Sequence, residues 1–303
     1  MKNKKLFQKT IWILFSLSLF VFFQCSLQVD ESEAPQYDRK DTAGAYQHVD
    51  TGDQTSLPMD ISATSRWTEW THNSVTEICA AQWGLSYGRR QNMRVASEMP
   101  DTYQSGLENG FNQQWSHAYL YNSWGWHLWG DADEDFHDNI DGTSEGYNGK
   151  WAGYYYNQNN QYMGDWYLGY ACHFIEDVSL VLHSSFPSID MLLYHFDFEE
   201  WVHNNLSSGH NFLNSVSADY YYYPITDLKA AVRSAAYHSS YGNSTVGKKV
   251  WDNYVSSGYP TGTGTGNSEL VTYTKQMIRD AGRYVKGTIK YTLDKYGEWI
   301  STY

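Results

Sequence analysis

From Trp67 onward most of the chain alternates between runs with helical spacing and polar or glycine-rich breaks. Between Trp67 and Leu85 the apolar residues Val75, Ile78, Ala81 and Trp83 recur at roughly helical intervals, and Gly84 and Gly88 close the segment. The stretch "QNMRVASEM" predicts a short helix stopped by Pro100. Helical spacing returns over 161–183, 189–205, 226–239 and 246–256, and the loop "SGYPTGTGTGNS" leads into a final helix from Glu269 to about Tyr296. There is no internal repeat and no sustained strand alternation, so the predicted class is all-α, a multi-helix domain over 61–303.

Three stretches fall outside that pattern. The first, 1–25, has a lysine-rich start and an apolar run from Ile11 to Phe23, shorter than the ~20 residues a membrane-spanning helix needs, and reads as an export signal. Cys25 follows directly, where a lipoprotein signal places its lipidated cysteine, although Gln24 is larger than the residue usually found before it. A lipid anchor to the membrane surface and simple cleavage with secretion are the two alternatives. Residues 26–60 are polar and acidic and read as a flexible tether. From Asp101 to Gly149 periodicity is lost in a segment rich in Trp, Asn, Gly and Asp, too long for an ordinary connection and so read as functional.

Composition narrows the picture. With 41% hydrophobic and 17% aromatic residues in 303, the chain can bury a full core. A formal charge of −13 disfavours long-range attraction of nucleic acid or anionic membrane, yet leaves acidic side chains free to gather metal ions. Beyond Cys25 the cysteines are Cys79 and Cys172, either joined in an exported chain or free and buried.

The run "GYACHFIEDVSLVLH" is apolar enough for a buried helix but carries His173, Asp177 and His183. At ~100° and ~1.5 Å per residue, Asp177 lies about 40° and 6 Å from His173, so both reach one metal from the same face. On an unbroken helix His183 lies about 15 Å from His173, too far to share that ion when zinc ligands sit at about 2.0–2.2 Å, which implies a second ion. "YHFDFEEWVHN" repeats the spacing with His195 and Glu199, which complete a second site with His183. Two histidines, one carboxylate and an open position form a catalytic zinc arrangement. A single histidine in an apolar helix is usually a hydrogen-bonded core residue. Burying two His/carboxylate pairs and a fifth such group unpaired would be costly.

The pattern His173-x3-Asp177-x5-His183-x11-His195-x3-Glu199 resembles the zinc-dependent phospholipase C family, which includes the alpha-toxin-type enzymes and is related to the fungal single-strand nucleases. "YLG" before the first histidine, "HFDFE" around the last ligand and the closing "MIRDAGRYVKGTIKYTLDKYG" extend the resemblance over roughly 61–297. The resemblance implies further ligands upstream. His72 matches the histidine near the domain start, with Trp67 at the W-x4-H spacing; Trp67 contributes its amine and carbonyl only if the chain is cut after Arg66. Asp101 and His117 match the next two ligands, with His127 in "WGWHLWGDAD" as the rival of His117.

These assignments imply one zinc held by Asp101, His117, His173 and Asp177, and a second by His183, His195 and Glu199. A third, on His72 with a shared Asp177, depends on the Trp67 cut. Asp101 is the implied general base. The expected activity is hydrolysis of a phosphodiester, first of a phospholipid, because the last ligand is Glu199 where the nucleases carry Asp. The alternatives are a single-strand-type nuclease and a non-catalytic zinc-binding surface lipoprotein; a monomer is expected in each case. Tyr103, Trp115 and Tyr119 are candidates for caging a choline-type ammonium or stacking on bases. The acidic "DADEDFHDNIDG" lacks the glycine and glutamate of a calcium loop and reads as a solvated loop.

Overall fold

A computed structural model describes residues 47–48, 67–107, 117–121, 127–142, 151–185, 189–242 and 244–300. In chain order these form β1 (Gln47–His48), α1 (Trp67–Gln82), α2 (Tyr87–Leu107), β2 (Leu120–Tyr121), β3 (His127–Trp129), α3 (Ala132–Asp141), α4 (Ala152–Tyr156), α5 (Gln161–Val178) and α6 (Val181–Ser184). There follow α7 (Ile189–Leu193), α8 (His195–Asn204), α9 (Asn214–Ser217), β4 (Tyr221–Tyr222), α10 (Leu228–Ser239), α11 (Val246–Ser256) and α12 (Ser268–Tyr296). The fold is all-α: among the described residues, strand occurs as two short antiparallel ladders, β1 with β4 and β2 with β3. The export signal, Cys25 and residues 61–66 lie outside the described residues, as does the tether apart from β1, which is paired to Tyr221–Tyr222.

Helix α5 is the axis of the domain. It is buried along nearly its whole length, as its all-round apolar sequence requires. Helices α1, α2, α3, α4, α10 and α12 pack around it. Asn160 caps it by accepting from the Met163 amide at 3.1 Å. Gly169 permits the close approach of α2, because a Cβ there would lie 2.3 Å from the Met93 carbonyl oxygen. Arg89 on α2 is fully buried and donates twice to Asp165 on α5, at 2.7 and 2.6 Å. That bidentate pair ties the two helices in register. The long α12 starts at the cap Asn267, whose side chain accepts from the Leu270 amide at 2.7 Å, and ends at Gly297 in the left-handed region, φ 70°.

Four features differ from, or decide between, the sequence expectations. Pro100 does not stop its helix; α2 runs through it to Leu107. Proline removes the ladder donor to the Ala96 carbonyl without ending the helix, and in the same turn Ser97 O accepts from His173 Nδ1 at 2.9 Å. The acidic stretch expected as a solvated loop is helix α3. Ala132, Phe136 and Ile140 bury one face of it, Asp133 pairs with Arg233 at 2.7 Å, and the acidic first turn suits the helix dipole. The helix expected over 161–183 breaks after Val178. Ser179 Oγ bonds back to Ile175 O at 2.6 Å and Leu180 is extended, with φ −105° and ψ 141°. Cys79 and Cys172 are free and buried.

Candidate metal centre

The break after Val178 is what assembles the site. A straight helix would carry His183 well away from Asp177, but the turn at Ser179–Leu180 brings its Nδ1 to 3.9 Å from Asp177 Oδ1. The sequence argument that His183 must be remote from the first ion therefore needs correcting. The two ligand groups are neighbours, and Asp177 stands between them.

The buried group is built on α5. His173 and Asp177 share one helical face, with His173 Nε2 3.0 Å from Asp177 Oδ2. His117, just before β2, places Nδ1 2.7 Å from the same oxygen and 2.9 Å from His173 Nε2. His72 comes in from α1, with Nε2 3.3 Å from the other oxygen, Asp177 Oδ1. The imidazoles crowd together: ring centroids are 4.0 Å apart for His72 and His173, and 4.7 Å for His117 and His173. The more open group joins α6 to α8. Glu199 Oε1 lies 2.8 Å from His195 Nε2 and 3.3 Å from His183 Nε2, and the two rings are 5.1 Å apart.

The ring nitrogens that point away from these clusters are held. His173 Nδ1 donates to Ser97 O, His183 Nδ1 donates to His117 O at 3.0 Å, and His72 Nδ1 donates to Glu176 Oε2 at 2.7 Å. With a metal bound, each bond would leave the lone pair of the other nitrogen facing the cluster, the outer support that metal-binding histidines use. Donor atoms of His72, His173 and Asp177, and of His183, His195 and Glu199, lie within 4.8 Å of one another. Ligands on one tetrahedral zinc stand about 3.3 Å apart, close to the separations found here. The nitrogen and carboxylate donors therefore suit zinc in both chemistry and spacing.

Burial opposes ionisation of His72, Asp177, His183 and Glu199, and their neighbours outweigh it. His183 is lifted to about 9 by Asp177 and Glu199, and His72 is raised well above the usual imidazole range by Asp177 and Glu176. Glu199 is held down at about 2 by His195 and His183, and Asp177 well below the usual carboxylate range by His173, His183 and His117. Glu176 goes the other way: burial pushes it up to about 7, against the pull of His72 and Thr76.

Of the residues singled out in the sequence, His72, His117, His173, Asp177, His183, His195 and Glu199 come together. His127 does not join them; its ring stacks on Tyr119 at 3.9 Å and its Nε2 bonds to Gly130 O at 3.1 Å. The backbones of Trp67 and Asp101 lie in α1 and α2, while their side chains are outside the described residues, as is that of Tyr103; Trp115 is outside altogether. The sequence reading missed Glu176 and Thr76. The signal was present in "HFIED", where a second acid sits beside Asp177 in an apolar run, and in Thr76, one helical turn after His72.

No family model and no curated protein matches the chain. Among solved structures, it is similar to Clostridium perfringens alpha-toxin from an avian strain. The identity is 14% and the TM-score 0.42, over 76% of this chain and 64% of that one, so the chain spans less than two thirds of that structure's length. The functional reading below rests on the chain's own ligand set. No helix among the described residues is long and apolar enough to cross a membrane.

Proposed function

We propose that this chain is a zinc-dependent phosphodiesterase of phospholipase C type, acting on the glycerol-side phosphodiester of phospholipids. The observation that carries this reading is the convergence of His72, His117, His173, Asp177, His183, His195 and Glu199 into two adjoining groups joined at Asp177. Bound zinc would supply Lewis-acid charge to the phosphodiester oxygens and lower the pKa of a water.

His117, His173, Asp177 and, by the resemblance, Asp101 would hold one ion and His183, His195 and Glu199 a second. His72, whose Nε2 faces the second oxygen of Asp177, would add to the buried group, and with Trp67 as the N-terminus it would serve a third ion. Ser97 O, His117 O and Glu176 keep the imidazoles aimed. Asp101, by the resemblance, accepts the proton of the attacking water. The lipid reading over the nuclease reading rests on Glu199 as last ligand and on the charge of −13, which opposes a polyanionic substrate. Export with either a lipid anchor at Cys25 or release from the membrane belongs to the same proposal, as does a monomeric state.

Parallel assays on phosphatidylcholine vesicles, single-stranded DNA and a chromogenic phosphodiester, each with and without chelator, test it. Chelator-sensitive release of diacylglycerol is expected. Cleavage of DNA alone moves the assignment to a nuclease, and zinc binding without turnover of any substrate makes the cluster a binding element.

A further inference from the structure

Glu176 meets the buried group from behind, through the ring nitrogen of His72 that points away from Asp177. It is buried at 3% exposure on α5, beside Asp177 in sequence but turned toward α1. There Oε2 accepts from His72 Nδ1 at 2.7 Å and Oε1 accepts from Thr76 Oγ1 at 2.7 Å. Thr76 lies one helical turn after His72 on the same face of α1, so the two donors grip the two oxygens of one carboxylate. The arrangement fixes the imidazole on both sides. Glu176 accepts the Nδ1–H hydrogen bond, and Nε2 faces Asp177 Oδ1 at 3.3 Å.

His173 and His183 are aimed by backbone carbonyls, whereas His72 depends on a side chain from another helix. We infer that Glu176, clamped by Thr76, is the positioning residue that sets the tautomer and aim of His72 and thereby the zinc affinity of the buried group; this rests on the metal reading proposed above. A carboxylate accepting from a ligating histidine strengthens that ligand and removes its rotational freedom, and loss of such a partner weakens metal binding about 10–100-fold.

The test is a stepwise zinc titration of the full-length protein against a chromogenic chelator, comparing wild type with Glu176→Gln, Glu176→Leu and Thr76→Val. Far-ultraviolet circular dichroism of the metal-free proteins confirms that each variant is folded. Glu176→Leu is expected to weaken one binding step about 10–100-fold and to leave the step due to His183, His195 and Glu199 unchanged. Glu176→Gln, which still offers an oxygen to Nδ1–H, should recover most of that loss, and Thr76→Val should show a smaller loss of the same step. A purely structural role would lower the melting temperature of the metal-free protein without moving any zinc constant, and that result overturns the inference. Equal losses in Gln and Leu variants also overturn it, since the retained acceptor would then count for nothing. If Glu176→Leu does not fold, the Gln and Val variants decide. Wild-type protein that binds no zinc brings down the metal reading itself, whereas wild-type binding with unchanged variants brings down only the role of Glu176.

Discussion

The two ligand groups use the same side-chain types but live in different surroundings. In the buried group His72 is 1% exposed, His173 0% and Asp177 2%, the His117 side chain reaches 14%, and the His72 and His173 rings are braced from outside by Glu176 and Ser97. In the other group the His183 and His195 side chains are 16% and 24% exposed, and Phe196, 62% exposed, stands beside His195 at the rim. A closed, braced set holds an ion as part of the core, whereas a set open on one side leaves a coordination position for a reacting molecule. The difference lies in the elements more than in the ligands. The central helix α5, together with α1 and the residue His117 before β2, supplies the first group, while the short α6 and the start of α8 supply the second.

Breaking the connection between the groups should have the largest effect. Asp177→Asn removes a charge that both groups face, and activity on phosphatidylcholine is expected to fall at least about 100-fold, since even outer partners of a ligand cost 10–100-fold. Zinc content by mass spectrometry should fall with it; full zinc retention would separate Asp177 from the centre. Next, chelation should lower the melting temperature by about 10 °C. An ion bound at about 1,000 times its Kd stabilises by about 4 kcal/mol, and each kcal/mol moves a domain of this size by about 2–4 °C. Calorimetry with and without added zinc measures it, and identical melting curves contradict bound metal in the core.

The contrast itself is sharpened by two matched substitutions. His173→Ala leaves Ser97 O buried without this donor and takes one of the facing imidazoles from Asp177, and should destabilise the metal-free fold by about 2–3 kcal/mol. His195→Ala, at the open edge, should cost less than about 1 kcal/mol while removing one equivalent of zinc. Equal effects in denaturant titrations would erase the distinction between the groups. At the small end, His127→Phe keeps the stacking on Tyr119 and should leave zinc content unchanged and activity within about twofold, because a surface substitution away from the ligands perturbs stability by about 0.5 kcal/mol at most. Loss of zinc on that change would reinstate His127 as a ligand.

Much of this was legible in the sequence because it depends on local periodicity. The long terminal helix, the His-x3-Asp and His-x3-Glu faces and the all-α class follow from spacing within single helices. What escaped depends on contacts between segments far apart. His72 meets Glu176 across 104 positions, and His117, which meets Asp177 across 60, was named through the family resemblance and not through spacing. The turn at Ser179 was hidden for another reason: the apolar run continues through it, and only a back-bonded serine marks the break. Helix α3 was obscured because its acids dominate the composition while its buried face needs just Ala132, Phe136 and Ile140. Pro100 misled through its usual role as a stop signal.

The carbonyls that aim His173 and His183 belong to Ser97 and His117, not to any side chain. Substituting Ser97 would therefore leave the oxygen that steers His173 in place. A scan that swaps side chains one at a time is blind to this half of the centre, because these oxygens move only when the main chain does. The geometry of the centre can therefore outlast changes of side chain, so long as the replacements still pack where Ser97 is fully buried.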